Sequence, residues 1–137
     1  LTDSDIVIMA LPHTQQTDGL MTLERLKMIG PQGILINISR GQIVDEEALY
    51  STLKEKELGA AGIDVWYDYS PEEIDGQKRP YTQPSHLLKN VVLSPHRAAS
   101  PFDDLSRWDE QIDAIKKFVV SDGQARLQNV VDLDAQY

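Results

Sequence analysis

The chain has 137 residues, of which 41% are hydrophobic and 26% are charged, and its formal net charge is −9; this composition is typical of one globular domain with a real core. The acidic balance argues against nucleic acid as a partner, and the longest apolar run, residues 6–11, is far too short to span a bilayer. Because there is no cysteine, a disulfide scaffold and a cysteine metal site are excluded, and nothing in the sequence predicts another metal site.

Four short apolar runs predict the strands of a sheet. They cover residues 5–12, 33–38, 60–65 and 90–95, and the first of them stops at Pro12. Each run is continuous rather than alternating, which is typical of buried parallel strands.

Three helical patterns follow the first, second and fourth of these runs. Thr22 is the predicted N-cap of the first helix, which Gly30 ends, and Asp45 is the predicted N-cap of the second, whose apolar face extends to Leu58. The third helix is predicted over residues 105–120. Because strands and helices alternate, we expect βαβ crossovers and therefore an α/β fold with a parallel sheet.

The stretch between the third and fourth strands has a different character. Residues 66–89 are rich in Pro, Tyr, Asp and Glu and show neither a helical nor a strand period. A loop of this length inside a compact domain is usually functional. We therefore predict a functional loop there, and a short strand or an extended tail at residues 128–133.

The second strand ends in a polar group of residues that includes an arginine. The apolar run gives way to Asn37, Ser39 and Arg40. Ligands of open α/β sheets bind at the carboxyl ends of the strands, and a guanidinium placed there suits a carboxylate or a polarised carbonyl. The alternative is an arginine that caps the loop or pairs with a neighbouring acid.

Two further candidates follow the ends of the other strands. His96 comes after the fourth strand and could transfer a proton near neutral pH, or it could be a surface histidine beside a proline turn. Asp64 ends the third strand and could contact a ligand or simply make local hydrogen bonds. The Gly-x-Gly-x-x-Gly turn that opens a dinucleotide-binding fold is absent from the sequence.

Several segments together resemble one family, the D-isomer-specific 2-hydroxyacid dehydrogenases. Residues 4–17 (SDIV, then LPHTQQT) resemble its SDIV…P-x-T-x-x-T segment, and residues 35–49 (LINISRGQIVDEEAL) resemble LIN-x-x-RG-x-x-VDE-x-AL. Residues 62–65 (GIDV) resemble GLDV, residues 90–96 (NVVLSPH) resemble NV-x-x-TPH, and residues 129–132 resemble the NVV tail. The order and spacing of these segments agree over nearly the whole chain.

The resemblance implies which part of the family's fold is present. Residues 1–100 would be the second half of a doubly wound, Rossmann-type nucleotide-binding domain, and residues 101–137 a C-terminal helix and tail returning toward the substrate domain. The glycine turn would lie upstream of Leu1. The first strand would then lack a neighbour, so we expect the chain alone to be poorly stable or to associate.

The resemblance also implies roles for individual residues. Arg40 would bind the carboxylate of a small 2-hydroxy or 2-oxo acid and polarise its carbonyl, and His96 would be the acid–base catalyst. Asp64 would contact the nicotinamide carboxamide. The cofactor, NAD or NADP, would be lined by Pro12, Thr17, Ile38, Ser39, Arg40, Asp64, His96 and Ala98. A homodimer in the cytoplasm is the implied state of the complete enzyme.

The sequence departs from the family pattern at one position. Most members carry a glutamate after the aspartate, in the arrangement DV-x-x-x-E-P, and this glutamate hydrogen-bonds the histidine. Here residues 64–71 read DVWYDYSP, which places Tyr69 or Ser70 at that position. Asp68, Glu72 or Glu73 could substitute for the glutamate. The departure leaves one alternative open, a dehydrogenase-like corepressor that senses cofactor. A truncated remnant without activity is a further alternative, because half of the cofactor site would lie upstream of Leu1.

Overall fold

The computed structural model describes residues 1–98, 106–126 and 134. Leu1–Ala98 forms one compact unit, and the last helix belongs to a second unit. Leu105, the first residue of the predicted third helix, and the predicted tail at residues 128–133 lie outside the described residues.

The first unit is built on a parallel sheet, which confirms the predicted α/β fold. Four strands pair in the order β1-β2-β3-β6, and all three pairings are parallel. The remaining two strands form a separate antiparallel hairpin. The six strands are β1 (Ile6–Met9), β2 (Ile34–Asn37), β3 (Ala60–Ile63), β4 (Glu73–Ile74), β5 (Gln77–Lys78) and β6 (Val91–Leu93).

Two helices, α1 (Leu23–Ile29) and α2 (Glu46–Lys54), follow β1 and β2. Asp45 caps α2 as predicted, since its carboxylate accepts a hydrogen bond from the Ala48 N–H at 2.8 Å. The prediction that α2 continues to Leu58 is wrong. Lys56 adopts a left-handed backbone with a φ of 59°, which ends the helix and turns Leu58 back into the core.

The core lies on one face of the sheet, against α1 and α2. Leu26, Leu35 and Leu53 are fully buried there. The prediction of buried strands is wrong for the opposite face, where Ile8 is 59% and Val92 is 71% exposed. Successive side chains of a strand point to opposite faces, so half of each apolar run lies on the exposed one.

We expect the 137-residue chain to associate through this exposed face and through the edge of β1 that pairs with no other described strand. An uncovered apolar edge strand is a site of self-association. The Ile8→Lys variant should associate less. Light scattering over a range of concentrations measures the effect. A matched control is Ile74→Lys, since Ile74 is 72% exposed but lies in the β4–β5 hairpin, away from the sheet. A wild-type chain that stays monomeric at all concentrations would contradict this prediction.

The stretch at residues 66–89 is a loop that contains local structure. The β4–β5 hairpin turns at Asp75 and Gly76, which both have positive φ, and a 3₁₀ turn covers Ser85–Leu87. The prediction that no strand lies in this stretch is therefore wrong for β4 and β5. Glu46 of α2 anchors the loop, because its carboxylate accepts hydrogen bonds from two backbone N–H groups, those of Thr82 and Gln83.

The second unit contains α3 (Ser106–Val120). Several apolar side chains of this helix are about half exposed or more, including Ile115 at 64% and Val119 at 69%. In the part of the chain that the structure describes, no helix combines the length and the apolar character needed to cross a bilayer.

Candidate functional site

The candidate site lies along the carboxyl edge of the parallel sheet. Met9, Asn37, Ile63 and Leu93 are aligned across the four strands, so the loops that follow them begin at one edge. All the residues predicted from sequence follow these strand ends. They are Pro12 and Thr17 after β1, Ile38, Ser39 and Arg40 after β2, Asp64 after β3, and His96 and Ala98 after β6.

The loop after β1 is closed by Thr17. The Thr17 hydroxyl donates a hydrogen bond to the Pro12 carbonyl at 2.7 Å and accepts one from the Thr14 N–H at 2.8 Å. Thr14 is buried, whereas Pro12 is exposed. The two predicted residues of this loop are thus held together, with Pro12 on the surface at the carboxyl edge.

Asn37 organises the turn that carries Arg40. Its buried Oδ1 accepts hydrogen bonds from the N–H and the hydroxyl of Ser39, at 3.1 and 2.7 Å, and its Nδ2 donates to the Arg40 carbonyl at 3.0 Å. A Cβ at Gly41 would collide with the Trp66 carbonyl, so only glycine lets the turn pack against the next loop. From the sequence Asn37 is only the end of a strand, whereas in the structure its buried amide fixes the turn.

Arg40 presents an exposed guanidinium at this edge. Its backbone is extended and its Nη1 donates to the adjacent Ser39 carbonyl at 2.6 Å. None of the ion pairs found among the described residues involves Arg40. The contact with the loop backbone is therefore present, whereas no acid among the described residues pairs with Arg40. The remaining donors of the planar fork suit a carboxylate.

Asp64 holds the segment that contains His96. The residue is 5% exposed, and its carboxylate accepts hydrogen bonds from the Ser94 hydroxyl at 2.5 Å and from the N–H groups of Arg97 and Ala98, each at 2.8 Å. Burial raises the pKa of Asp64, but the hydrogen bonds together lower it by more than burial raises it. The pKa of Asp64 therefore lies below its usual value. The local hydrogen bonds that the sequence offers as one alternative for Asp64 are present. A contact between Asp64 and the cofactor stays a prediction.

We expect Asp64→Asn to lower the free energy of unfolding at neutral pH by about 1–3 kcal/mol, because an amide cannot accept from all three donors. A carboxyl with a lowered native pKa stabilises the fold above the unfolded aspartate pKa of about 3.9, and this contribution is lost as the pH falls through the native value. Urea unfolding from pH 7 to pH 3 should therefore show a flatter acid slope for the variant. Asp3→Asn, at an exposed position, is the control. Equal slopes for wild type and Asp64→Asn would refute the assignment.

His96 lies at a sharp backbone turn and contacts Tyr69. It has a φ of 57°, in the left-handed region that residues other than glycine seldom adopt. The Tyr69 hydroxyl lies 3.0 Å from its Nδ1, and it also accepts a hydrogen bond from the Trp66 N–H at 3.2 Å. Tyr69 and Ser70 are the two residues that could align with the family's glutamate, and in the structure it is Tyr69 that contacts His96. Asp68 instead accepts a hydrogen bond from the Ser70 N–H.

Arg40 and His96 project from the same edge with one strand between them. Arg40 follows β2, His96 follows β6, and β3 pairs with both strands. Two strand spacings, about 10 Å, therefore separate the strand ends from which these residues continue. A long arginine side chain and an imidazole can approach one small ligand across that gap.

Comparison with known proteins identifies the family. A family model described as the NAD binding domain of D-isomer specific 2-hydroxyacid dehydrogenase matches residues 1–98. The glyoxylate reductase of Pyrococcus furiosus is 39% identical over 104 residues, which are 75% of this chain and 28% of the relative. The glyoxylate/hydroxypyruvate reductase B of Enterobacter agglomerans is 34% identical over 121 residues, 88% of this chain and 34% of the relative.

A solved structure shows the same relationship. The D-isomer specific 2-hydroxyacid dehydrogenase of Xanthobacter autotrophicus Py2, in complex with NADPH and MES, superposes with a TM-score of 0.77 at 29% identity, covering 100% of this chain and 52% of that one. This chain spans about a third or less of the length of the two reductases. The chain belongs to the D-isomer specific 2-hydroxyacid dehydrogenase family, and its residues 1–98 match the NAD-binding domain of that family.

Proposed function

We propose that this chain forms part of an NAD(P)-dependent oxidoreductase that interconverts a small 2-oxo acid and the corresponding 2-hydroxy acid. The observation that carries the proposal is the placement of Arg40, which has no acidic partner among the described residues, and His96 at one edge of a parallel sheet. Glyoxylate and hydroxypyruvate are the candidate substrates, because they appear in the names of the reductases that this chain resembles.

Arg40 is assigned to the carboxylate of the substrate. The Asn37 amide holds the Arg40 carbonyl, so the turn is fixed while the guanidinium remains exposed. A planar fork with free N–H donors binds a carboxylate through two parallel hydrogen bonds and can also polarise the adjacent carbonyl oxygen. This contact orients the 2-oxo acid with its carbonyl toward His96.

His96 is assigned to the proton transfer. In reduction the ring, protonated on both nitrogens, delivers its Nε2 proton to the oxygen of the former carbonyl and keeps the proton on Nδ1, and in oxidation the ring with a free Nε2 accepts the proton of the 2-hydroxyl. The Tyr69 hydroxyl contacts Nδ1 of His96, so Nε2 is the ring nitrogen that can face the substrate. The Asp64 carboxylate supports this position, since it fixes the backbone on the C-terminal side of His96.

The carboxyl edge also suits a nicotinamide ring. Ile38 is 41% exposed there beside the buried Ser39, so an apolar surface adjoins backbone polar groups, as cofactor sites require. A carboxylate offers about four acceptor sites and Asp64 uses three of them within the protein, which leaves capacity for one carboxamide N–H. Pro12, Thr17 and Ala98 are assigned to the lining of the same site. The bound nicotinamide would supply the hydride chemistry.

The test is an assay of the complete gene product that contains this sequence. We expect oxidation of NADH or NADPH, followed by absorbance, upon addition of glyoxylate or hydroxypyruvate. The 137-residue chain alone should be inactive, because it contains no Gly-x-Gly-x-x-Gly turn for the pyrophosphate. Cofactor binding without oxidation by any small 2-oxo acid would reject the enzymatic function and favour the cofactor-sensing alternative.

A further inference from the structure

Tyr69 holds His96 by an interaction that differs from a carboxylate contact. Its hydroxyl lies 3.0 Å from Nδ1 of His96, and the two rings are 5.5 Å apart between centroids, at an angle of 44°. Trp66 supplies the second contact, since its N–H donates to the same hydroxyl at 3.2 Å. Hydrogen bonds from two directions therefore fix the position of the tyrosine oxygen.

The donors and acceptors at this oxygen favour one position of the imidazole proton. A backbone N–H only donates, so Trp66 takes up one lone pair of the hydroxyl oxygen and leaves the hydroxyl proton available. Nδ1 lies 3.0 Å from the hydroxyl oxygen and can accept that proton, in which case the neutral imidazole carries its own proton on Nε2. A carboxylate only accepts and would instead hold the proton on Nδ1.

We propose that Tyr69 is a positioning residue that fixes His96 in the neutral tautomer with the proton on Nε2, so that the ring donates a hydrogen bond into the site. The role in turnover rests on the proposed function, whereas the tautomer is a property of this chain alone. A ring that donates from Nε2 suits the carbonyl oxygen of a 2-oxo acid, which only accepts.

The Tyr69 hydroxyl can also accept a hydrogen bond from His96 when the ring is protonated. When the ring is protonated, Nδ1–H becomes a donor, and the tyrosine oxygen has a second lone pair that can accept it while Trp66 keeps the first. The resting ring takes up a proton on Nδ1 before it delivers the Nε2 proton to the substrate oxygen, and the Tyr69 hydroxyl keeps a hydrogen bond to Nδ1 in each state, which a Phe side chain cannot do.

The tautomer is tested by nitrogen NMR of the complete gene product with labelled histidine, at a pH above the ordinary titration range of the imidazole. We expect wild type to show His96 with Nδ1 unprotonated, Tyr69→Glu to move the proton to Nδ1, and Tyr69→Phe to show a mixture. Tyr69 is 53% exposed, so these changes leave the core intact. A wild-type ring protonated on Nδ1, or three identical spectra, would overturn the proposal.

The second readout is turnover by the complete gene product. Removing a group that orients a catalytic residue typically costs about 10- to 100-fold in activity, so we expect Tyr69→Phe to lower kcat by that factor with little change in KM for the 2-oxo acid. Tyr81→Phe is the matched control, because Tyr81 lies in the same loop and contacts Trp66 rather than His96.

The two readouts separate failure of this proposal from failure of the proposed function. An inactive gene product whose NMR spectra show the expected tautomers would reject the proposed function and retain the role of Tyr69 toward His96. An active enzyme in which Tyr69→Phe and Tyr81→Phe both turn over like wild type would reject the role of Tyr69 in the reaction.

Discussion

Replacing His96 with asparagine is expected to lower kcat for 2-oxo acid reduction by about 10²- to 10⁴-fold, the usual contribution of a positioned acid–base group. Asparagine is the appropriate replacement because His96 has a φ of 57°, and asparagine tolerates the left-handed region better than other side chains that cannot transfer a proton. Steady-state kinetics of the complete gene product measure the loss.

The control for His96→Asn is His86→Asn. His86 lies in the 3₁₀ turn that precedes β6 and contacts the Tyr81 ring, so it is not among the residues that follow a strand of the parallel sheet. This variant should turn over at the wild-type rate. The acid–base assignment would be wrong if His96→Asn retained wild-type kcat, or if its loss were matched by an equal loss of cofactor affinity.

The placement of the site could be predicted from sequence because it depends on topology rather than on side-chain detail. Continuous apolar runs separated by helical patterns imply parallel strands, and parallel strands direct all their carboxyl ends to one edge. Arg40 and His96 each follow such a run, so the shared edge follows once the strands are known. No contact between side chains is needed for that conclusion.

The partner of His96 could not be predicted in the same way. Tyr69 and His96 are 27 residues apart in the chain, and the loop that carries Tyr69 has no period from which a direction could be inferred. Alignment to the family pattern left Tyr69 and Ser70 equally possible. The choice depends on the contact of the Tyr69 hydroxyl with the Trp66 N–H, which is a property of the folded loop.

The exposed face of the sheet was missed for a different reason. A continuous apolar run does not reveal whether one face or both are covered, because Val7 and Ile8 are equally hydrophobic. In the structure Val7 packs toward the core, whereas Ile8 is 59% exposed. Burial on the second face depends on what packs against it, which the composition of a strand does not specify.

Replacing Arg40 with lysine is expected to raise KM for the 2-oxo acid roughly 10- to 100-fold, although the charge is retained. Lysine cannot form two parallel hydrogen bonds to a carboxylate, and a lost hydrogen bond to a charged group costs about 1.5–3 kcal/mol, where 1.36 kcal/mol corresponds to a factor of ten. The Asn37 amide holds the backbone at Arg40 through its carbonyl, so the turn should survive the substitution.

The matched control is Arg25→Lys. Arg25 also donates from Nη1 to a backbone carbonyl, that of Leu20, but it lies on α1 and does not follow a strand of the sheet. If both arginines only stabilised local backbone, the two lysine variants would behave alike, with unchanged KM and a small loss of stability. A rise in KM confined to Arg40→Lys, with the cofactor KM unchanged, is the result that assigns the guanidinium to the substrate carboxylate, because the same loss of a carbonyl contact at Arg25 leaves substrate binding intact.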